Sequence, residues 1–169
     1  MDQIEFLQLI APFKDKVFRL AKRLLISTEE AEDATQEILG KLWNKNENFH
    51  TLNSVEAFAM TMTRNYCLDQ LKSKRAGNIK IDHDNYADQS PQLDIMLEDE
   101  DSISWVERII NQLPEQQKII IQLRDIEQYE FDEIAKIVEM NETAIRVALS
   151  RARKTVRQNM TKIHSYGIE

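Results

Sequence analysis

The stretch of sequence that decides the fold runs from Tyr129 to Lys154 and reads YEFDEIAKIVEMNETAIRVALSRARK. Its apolar residues recur at intervals of three and four, which predicts two short helices. The break between them falls at residues 139–141, where Met140 is expected to turn back into the core. Asn141 or Thr143 can cap the second helix, because a short polar side chain accepts the free backbone amides there. The pattern predicts a helix-turn-helix.

The outward face of the second predicted helix is basic and carries short side chains. Arg146, Ser150 and Arg153 are four and three residues apart, so they share this face, and Val147 and Arg151 lie beside them. A helix that reads DNA needs donors for guanine edges and phosphates, and short side chains for close approach. We interpret the face as a DNA-binding surface. The alternative is a solvated basic helix, since cations are favoured near a helix C-terminus.

The composition predicts an all-α protein of one domain or two small ones. The chain has 169 residues with only 3 Gly and 3 Pro, and no stretch alternates in the manner of a strand. It has no apolar run of membrane-spanning length and no basic secretory start, and its one cysteine cannot form an internal disulfide. These features predict a cytoplasmic protein. The 3 histidines are scattered, so no metal site is expected.

The net charge of −7 argues against a simple nucleic-acid binder, because such proteins are usually basic. The charge is unevenly spread, however. Residues 80–101 carry eight carboxylates against one lysine, whereas 72–75 and 146–157 are basic. The asymmetry predicts two small helical domains, residues 1–76 and 102–169, joined by an acidic linker at 77–101.

The first domain is predicted to contain three helical regions. The first covers residues 4–26 and is expected to be split or kinked at Pro12. The second starts at a capping box formed by Ser27 and Glu30. The third spans residues 54–75 and includes Cys67, which is expected to be a buried structural thiol.

Two helices of this domain present polar faces. The second helix shows Asp33, Gln36 and Glu37 opposite its apolar side, and the third carries a stripe of Asn65, Asp69 and Lys72. On patterning alone, ordinary solvation explains both faces as well as function does. Residues 102–169 are predicted to form a four-helix unit: a helix from Ser102, a second after Pro114, and the helix-turn-helix.

The chain resembles an extracytoplasmic-function sigma factor, a small member of the sigma-70 family of bacterial RNA polymerase subunits. Four segments carry the resemblance in the family's order: Ala31 to Glu37, Thr63 to Arg75, Leu113 to Gln117, and the pair Glu133-Ile134-Ala135 and Ser150-Arg151-Ala152-Arg153. Each is common alone, but four in order are specific. The chain departs from the family at Glu139, where the family often has Gly.

The resemblance implies a promoter-recognition mechanism without catalysis. It implies that Asp33, Gln36 and Glu37 meet the clamp helices of the largest subunit of core RNA polymerase. The residues that it assigns to the −10 element are Asn65, Asp69, Lys72, Arg75, Phe49 and His50. It assigns Arg146, Val147, Ser150 and Arg151 to the major groove at the −35 element, and Arg124, Arg153 and Lys154 to phosphates.

The resemblance also implies partners and leaves alternatives open. The implied partners are core RNA polymerase, promoter DNA and an anti-sigma factor, often membrane-bound; no cofactor and no small-molecule substrate are expected. A conventional two-domain helix-turn-helix regulator would share the DNA-binding face without needing the Asp33–Glu37 face. An adaptor would lack promoter-specific DNA binding. An enzyme is the least favoured class, because no second acidic or histidine motif completes the carboxylates of that face.

Overall fold

The computed structural model describes residues 1–81 and 102–166, which we call the N-terminal and C-terminal halves; its side chains are described for 1–77 and 105–165. Every regular element in these ranges is helical, which confirms the all-α prediction. The elements, in order, are α1 (Gln3–Ile10), α2 (Lys14–Leu25), α3 (Thr28–Asn44), a 3-10 turn (Asn46–Thr51), α4 (Val55–Ile81), α5 (Ser102–Asn111), α6 (Glu115–Ile121), a π-turn (Gln122–Ile126), α7 (Phe131–Val138) and α8 (Glu142–Tyr166).

The N-terminal half has four α-helices, because Pro12 splits the first predicted helical region. Proline has no backbone N–H to continue the helical hydrogen bonding, so α1 ends before it and α2 starts after it. The Asp2 carboxylate begins α1 by accepting a hydrogen bond from the Glu5 amide at 2.8 Å. Three helical regions were predicted, and the break at Pro12 was one of the two outcomes expected there.

Two helix boundaries differ from the predictions. Ser27 caps α3 by accepting a hydrogen bond from the Glu30 amide at 3.2 Å, but the Glu30 carboxylate bonds Lys74 of α4. The predicted capping box is therefore half formed, because a long-range cation holds its second member. Helix α4 runs to Ile81, past the predicted start of the linker at residue 77. The rest of that acidic segment, residues 82–101, lies outside the described residues.

Helix α2 occupies the centre of the molecule. It packs against α3 and α4, and its Val17, Leu20, Ala21 and Leu24 are buried. It also packs against α6 of the C-terminal half, and the buried residues of both halves belong to one continuous cluster. The halves therefore meet through a shared core.

The helix-turn-helix forms as the sequence predicts. The first helix, α7, ends at Glu139, whose φ of 57° and ψ of 45° are left-handed. Such a conformation favours Gly and costs another residue about 1 kcal/mol. The Asn141 side chain then caps α8 by accepting a hydrogen bond from the Ala144 amide at 2.8 Å. Ile134 of α7 and Ile145 of α8 are fully buried where the two helices pack.

Cys67 lies fully buried in the core, as predicted. Burial raises the pKa of its thiol from 9.0 to about 12. The unfolded chain therefore releases this proton at lower pH than the folded chain, and the stability that the neutral thiol contributes is present below pH 9 and lost as pH rises toward 12.

We expect the free energy of unfolding of the native chain to fall as the pH rises from 9 to 11. This fall should be steeper than in a Cys67→Ala variant, by up to about 1.4 kcal/mol per pH unit. Denaturant titrations at each pH measure this difference in slope. The variant starts from lower stability because its core contains a cavity, so only the slopes are compared. Parallel profiles would show that the thiol does not couple to folding.

Candidate functional site

The outer face of α8 is open along its first three turns. Arg146, Val147, Ser150, Arg151 and Lys154 are all exposed. The Val147 side chain is an apolar exception on a basic surface, with 44% of its area exposed. An exposed apolar residue flanked by guanidinium groups suits contact with thymine methyl groups beside guanine edges.

An aromatic ring fixes the position of Arg146. The Arg146 guanidinium lies 4.0 Å from the centroid of the Phe131 ring, and the Arg124 guanidinium lies 4.4 Å from the same centroid. The negative face of an aromatic ring attracts cations at this range. Phe131 therefore holds two cations together at the N-terminal end of the α8 face.

Two of the predicted phosphate-binding cations have partners within the same half. Arg153 donates from Nε to the Asp125 carboxylate at 3.0 Å, and this hydrogen bond raises its pKa. Arg124 donates from Nη1 to the Tyr129 carbonyl at 2.8 Å. Both arginines connect the π-turn and the loop after it to the helix-turn-helix, so a phosphate would have to share or displace these contacts.

A second polar surface lies on α3. Asp33, Gln36 and Glu37 are all exposed, and Glu37 forms an ion pair with Lys41, at 3.7 Å between Oε1 and Nζ. Tyr66 of α4 lies at the edge of this surface, where burial, followed by the charge of Glu37, raises its pKa. The structure thus brings the three residues together on one accessible face with two negative charges.

Two family models match the chain: "Sigma-70 region 2" over residues 9–77, and "Sigma-70, region 4" over residues 103–156. The chain belongs to the sigma-70 family. The two matches together cover most of the chain, occur in the expected order, and correspond to the two halves of the structure.

Among curated relatives, this sigma-70 family member is 25% identical over 160 residues to the ECF RNA polymerase sigma factor SigE of Mycolicibacterium smegmatis, with 92% of this chain and 61% of SigE aligned. It thus spans less than two thirds of the SigE chain. It is 22% identical over 170 residues to the ECF RNA polymerase sigma factor SigW of Bacillus subtilis, with 94% of this chain and 90% of SigW aligned.

Two solved structures share the fold of this sigma-70 chain. RpoE of Bartonella quintana, in complex with the anti-sigma factor NepR, has a TM-score of 0.75 at 22% identity, with 93% of this chain and 97% of RpoE covered. CnrH, in complex with the cytosolic domain of CnrY, has a TM-score of 0.71 at 17% identity, with 95% of this chain and 90% of CnrH covered.

The predicted −10 residues of the sigma-70 region 2 match are only partly accessible. Asn65, Asp69 and Lys72 lie exposed along α4, and His50 is exposed in the 3-10 turn. Phe49 is only 8% exposed and packs in the core. A ring that stacks on a base needs an open face, so the expectation that Phe49 contacts DNA is not supported, and we leave it out of the proposed site.

Arg75, the remaining predicted −10 residue, is paired across the two halves of this sigma-70 protein. Its guanidinium bonds the Glu115 carboxylate at the start of α6. More than half of the Arg75 side chain stays exposed, at 62%. Arg75 therefore belongs both to the predicted DNA surface and to a contact with the C-terminal half.

A further polar contact between the halves could not be predicted from the sequence. Lys16, Arg19 and Arg23 of α2 are three and four residues apart. Arg19 and Arg23 pair with Glu127 and Glu107 of the C-terminal half, and Lys16 pairs with Glu56 of α4 in its own half. Their spacing on one face was visible in the sequence. Their partners were not, because ion pairs between residues 40 to 108 positions apart leave no local pattern.

Within the described ranges, no cluster of histidine, cysteine or carboxylate side chains could hold a metal ion. No described helix is both long enough and apolar enough to cross a membrane.

Proposed function

We propose that this protein is a sigma factor that binds core RNA polymerase and directs it to specific promoters. The observation that carries the proposal is the open, basic face of α8, held by the left-handed turn at Glu139, in a chain whose other half matches Sigma-70 region 2. A helix presented in this way suits the major groove.

In this proposal the C-terminal half reads the −35 element. Arg146, Val147, Ser150 and Arg151 contact bases, because their side chains lie at the exposed front of α8. Lys154 contacts phosphate, which positions the helix without reading sequence. Arg124 and Arg153 assist by orienting α7 and α8, with phosphate contact secondary to their bonds to Tyr129 and Asp125.

The N-terminal half binds the polymerase and the −10 element. The face of Asp33, Gln36 and Glu37 binds the clamp helices of the largest polymerase subunit. Asn65, Asp69, Lys72 and Arg75 of α4, with His50, hold the opened strand of the −10 element; a cationic groove is what a single strand requires.

In this proposal the protein also has a defined location and a defined inhibitor. It acts in the cytoplasm without catalytic activity, a cofactor or a small-molecule substrate. An anti-sigma factor holds it inactive. RpoE, which shares its fold, was solved with the anti-sigma factor NepR, and CnrH, which also shares its fold, was solved with the cytosolic domain of CnrY.

In vitro transcription tests the proposal. Purified core polymerase is incubated with a genomic fragment library, with and without the protein. We expect new transcripts only when the protein is present, from fragments that share two sequence blocks upstream of the start site. If the protein changes transcription only when another sigma factor is already bound, it is a conventional helix-turn-helix regulator and the proposal fails.

A further inference from the structure

Phe131, the first residue of α7, is held in place by its backbone and by the core. The Glu133 carboxylate accepts a hydrogen bond from the Glu130 amide at 2.9 Å, which fixes the start of the helix at Phe131. The Phe131 ring is partly buried and packs against the core cluster. Side chains packed in this way stay close to one rotamer, so the ring is a rigid surface.

The Phe131 ring contacts two guanidinium groups whose surroundings differ. Arg124 lies 4.4 Å from the ring centroid and also donates to the Tyr129 carbonyl at 2.8 Å. Arg146 lies 4.0 Å from the same centroid, and it forms no hydrogen bond or ion pair with the described residues. The ring is therefore what holds the Arg146 guanidinium, whereas Arg124 has a polar contact of its own.

An aromatic ring can hold an arginine without using its hydrogen-bond donors. The negative face of the ring attracts the charge of the guanidinium, and the N–H groups remain unpaired. A carboxylate would use these donors, as Asp125 does when it accepts hydrogen bonds from Nε and Nη2 of Arg153. A guanine edge needs a pair of such donors at once. Arg146 is therefore held in position and still able to donate to a base.

Arg151, the other arginine proposed to read bases, has no such support. It is exposed on α8, and its side chain makes no hydrogen bond, ion pair or ring contact within the described ranges. A long side chain that becomes ordered on binding loses rotamer entropy, which opposes binding. Arg146 loses less entropy than Arg151 because it is ordered beforehand.

We infer that Phe131 is a positioning residue for promoter recognition: its ring holds the Arg146 guanidinium ready to read one base pair of the −35 element. The role requires no contact between Phe131 and DNA, because the ring acts through Arg146. Base reading rests on the proposed function, whereas the order of Arg146 in the free chain does not.

The inference predicts a small and local effect on specificity. A cation–π contact at an exposed site favours the contacted state by about twofold to fivefold. Loss of the ring should therefore lower discrimination by about this factor at the base pair that Arg146 reads. The other base pairs of the element should keep their native preference.

Three variants separate the ring from its contribution to the core. F131L removes the ring and keeps an apolar side chain against the core, and F131Y keeps the ring face. The matched control is V138A, because Val138 is buried two turns further along the same helix and its truncation lowers stability without removing a ring. Thermal melts confirm that each variant is folded; if F131L does not fold, F131M replaces it.

Nuclear magnetic relaxation of the arginine Nε–H groups in the free, full-length chain measures the positioning itself. Order parameters from such data report motion faster than nanoseconds. We expect Arg146 to be more ordered than Arg151 in the native chain, F131Y and V138A, and as mobile as Arg151 in F131L. Arg124 should stay ordered throughout, because it keeps its bond to the Tyr129 carbonyl. An Arg146 as mobile as Arg151 in the native chain, or still ordered in F131L, would overturn the inference.

Transcription by reconstituted holoenzyme from a randomised −35 library measures the effect on recognition. We expect F131L to relax the same base pair as R146A, by about twofold to fivefold, and the double variant F131L/R146A to match R146A alone. F131Y and V138A should keep the native preference. Equal relaxation at every position, or a further loss in the double variant, would mean that Phe131 only supports the fold, and the inference would be overturned.

The two measurements keep this inference distinct from the proposed function. If neither the native chain nor any variant directs transcription, the proposed function fails, while the relaxation data still decide whether the ring orders Arg146. If the native chain directs transcription and R146A keeps its base preference, the protein is a sigma factor in which Arg146 reads no base. The specificity role of Phe131 would then be overturned even with an ordered Arg146.

Discussion

Replacement of Asp33, Gln36 and Glu37 by alanine is expected to weaken core polymerase binding by about 30-fold to 1000-fold while leaving the fold intact. All three side chains are exposed, so their loss creates no cavity. The effect corresponds to about 2–4 kcal/mol, which is usual when a cluster of central interface residues is truncated. A titration of labelled core polymerase with the native and triple-variant chains measures it.

The matched control removes the same chemical groups elsewhere in the N-terminal half. Gln8, Asp15 and Glu47 are also exposed, and together they provide one amide and two carboxylates. Their replacement by alanine lowers the negative charge equally, so it reports the effect of net charge alone. Equal core affinity of the two triple variants would mean that the α3 face is merely solvated, and the polymerase assignment would be withdrawn.

Loss of either Arg146 or Arg151 is expected to relax promoter preference at one base pair of the −35 element. A bidentate contact between arginine and guanine contributes about 1–3 kcal/mol of discrimination, or about 5-fold to 150-fold. The Arg146 effect should be the sharper of the two, because the Phe131 ring fixes its guanidinium. Transcription by reconstituted holoenzyme from a randomised upstream library measures the preference at each position.

Lys154→Ala serves as the comparison for these variants. Lys154 is exposed on α8, and a phosphate contact there would weaken all promoter sequences about equally and reduce the salt slope of binding by about one unit. If instead Arg146→Ala and Arg151→Ala leave the selected sequences unchanged, their charges only favour the helix and keep it solvated. The base-reading role would then be wrong.

The helix-turn-helix could be predicted from sequence because its determinants are local. Apolar spacing places Ile134 and Ile145 at the helix crossing, and Asn141 caps the next helix through an amide only three residues away. The same locality places Asp33, Gln36 and Glu37 together on α3. Periodicity along one helix decides which side chains share a face, whatever the rest of the molecule does.

Long-range pairing could not be predicted in this way. The Glu30 carboxylate bonds Lys74 instead of completing the predicted capping box. Phe49 is buried although its loop is polar, and Arg153 pairs with Asp125. Each outcome depends on which helices become neighbours in the folded chain. Arg23 of α2 is the clearest case, since its hydrogen-bond partners Glu107, Asn111 and Gln122 all come from the other half.

The π-turn at Gln122–Ile126 constrains how relatives can be aligned with this chain. The Glu127 amide donates to the Gln122 carbonyl at 3.0 Å, five residues back, so the turn holds one more residue than an α-helical turn. That extra residue lets Gln122 meet Arg23, Arg124 meet Phe131 and Asp125 meet Arg153 in three different directions. Removal of one residue would rotate the following side chains by about 100° and break this arrangement. A relative with an uninterrupted α-helix here would therefore need a one-residue gap inside 122–126, and without that gap the helix matched to α8 would lie one residue out of register.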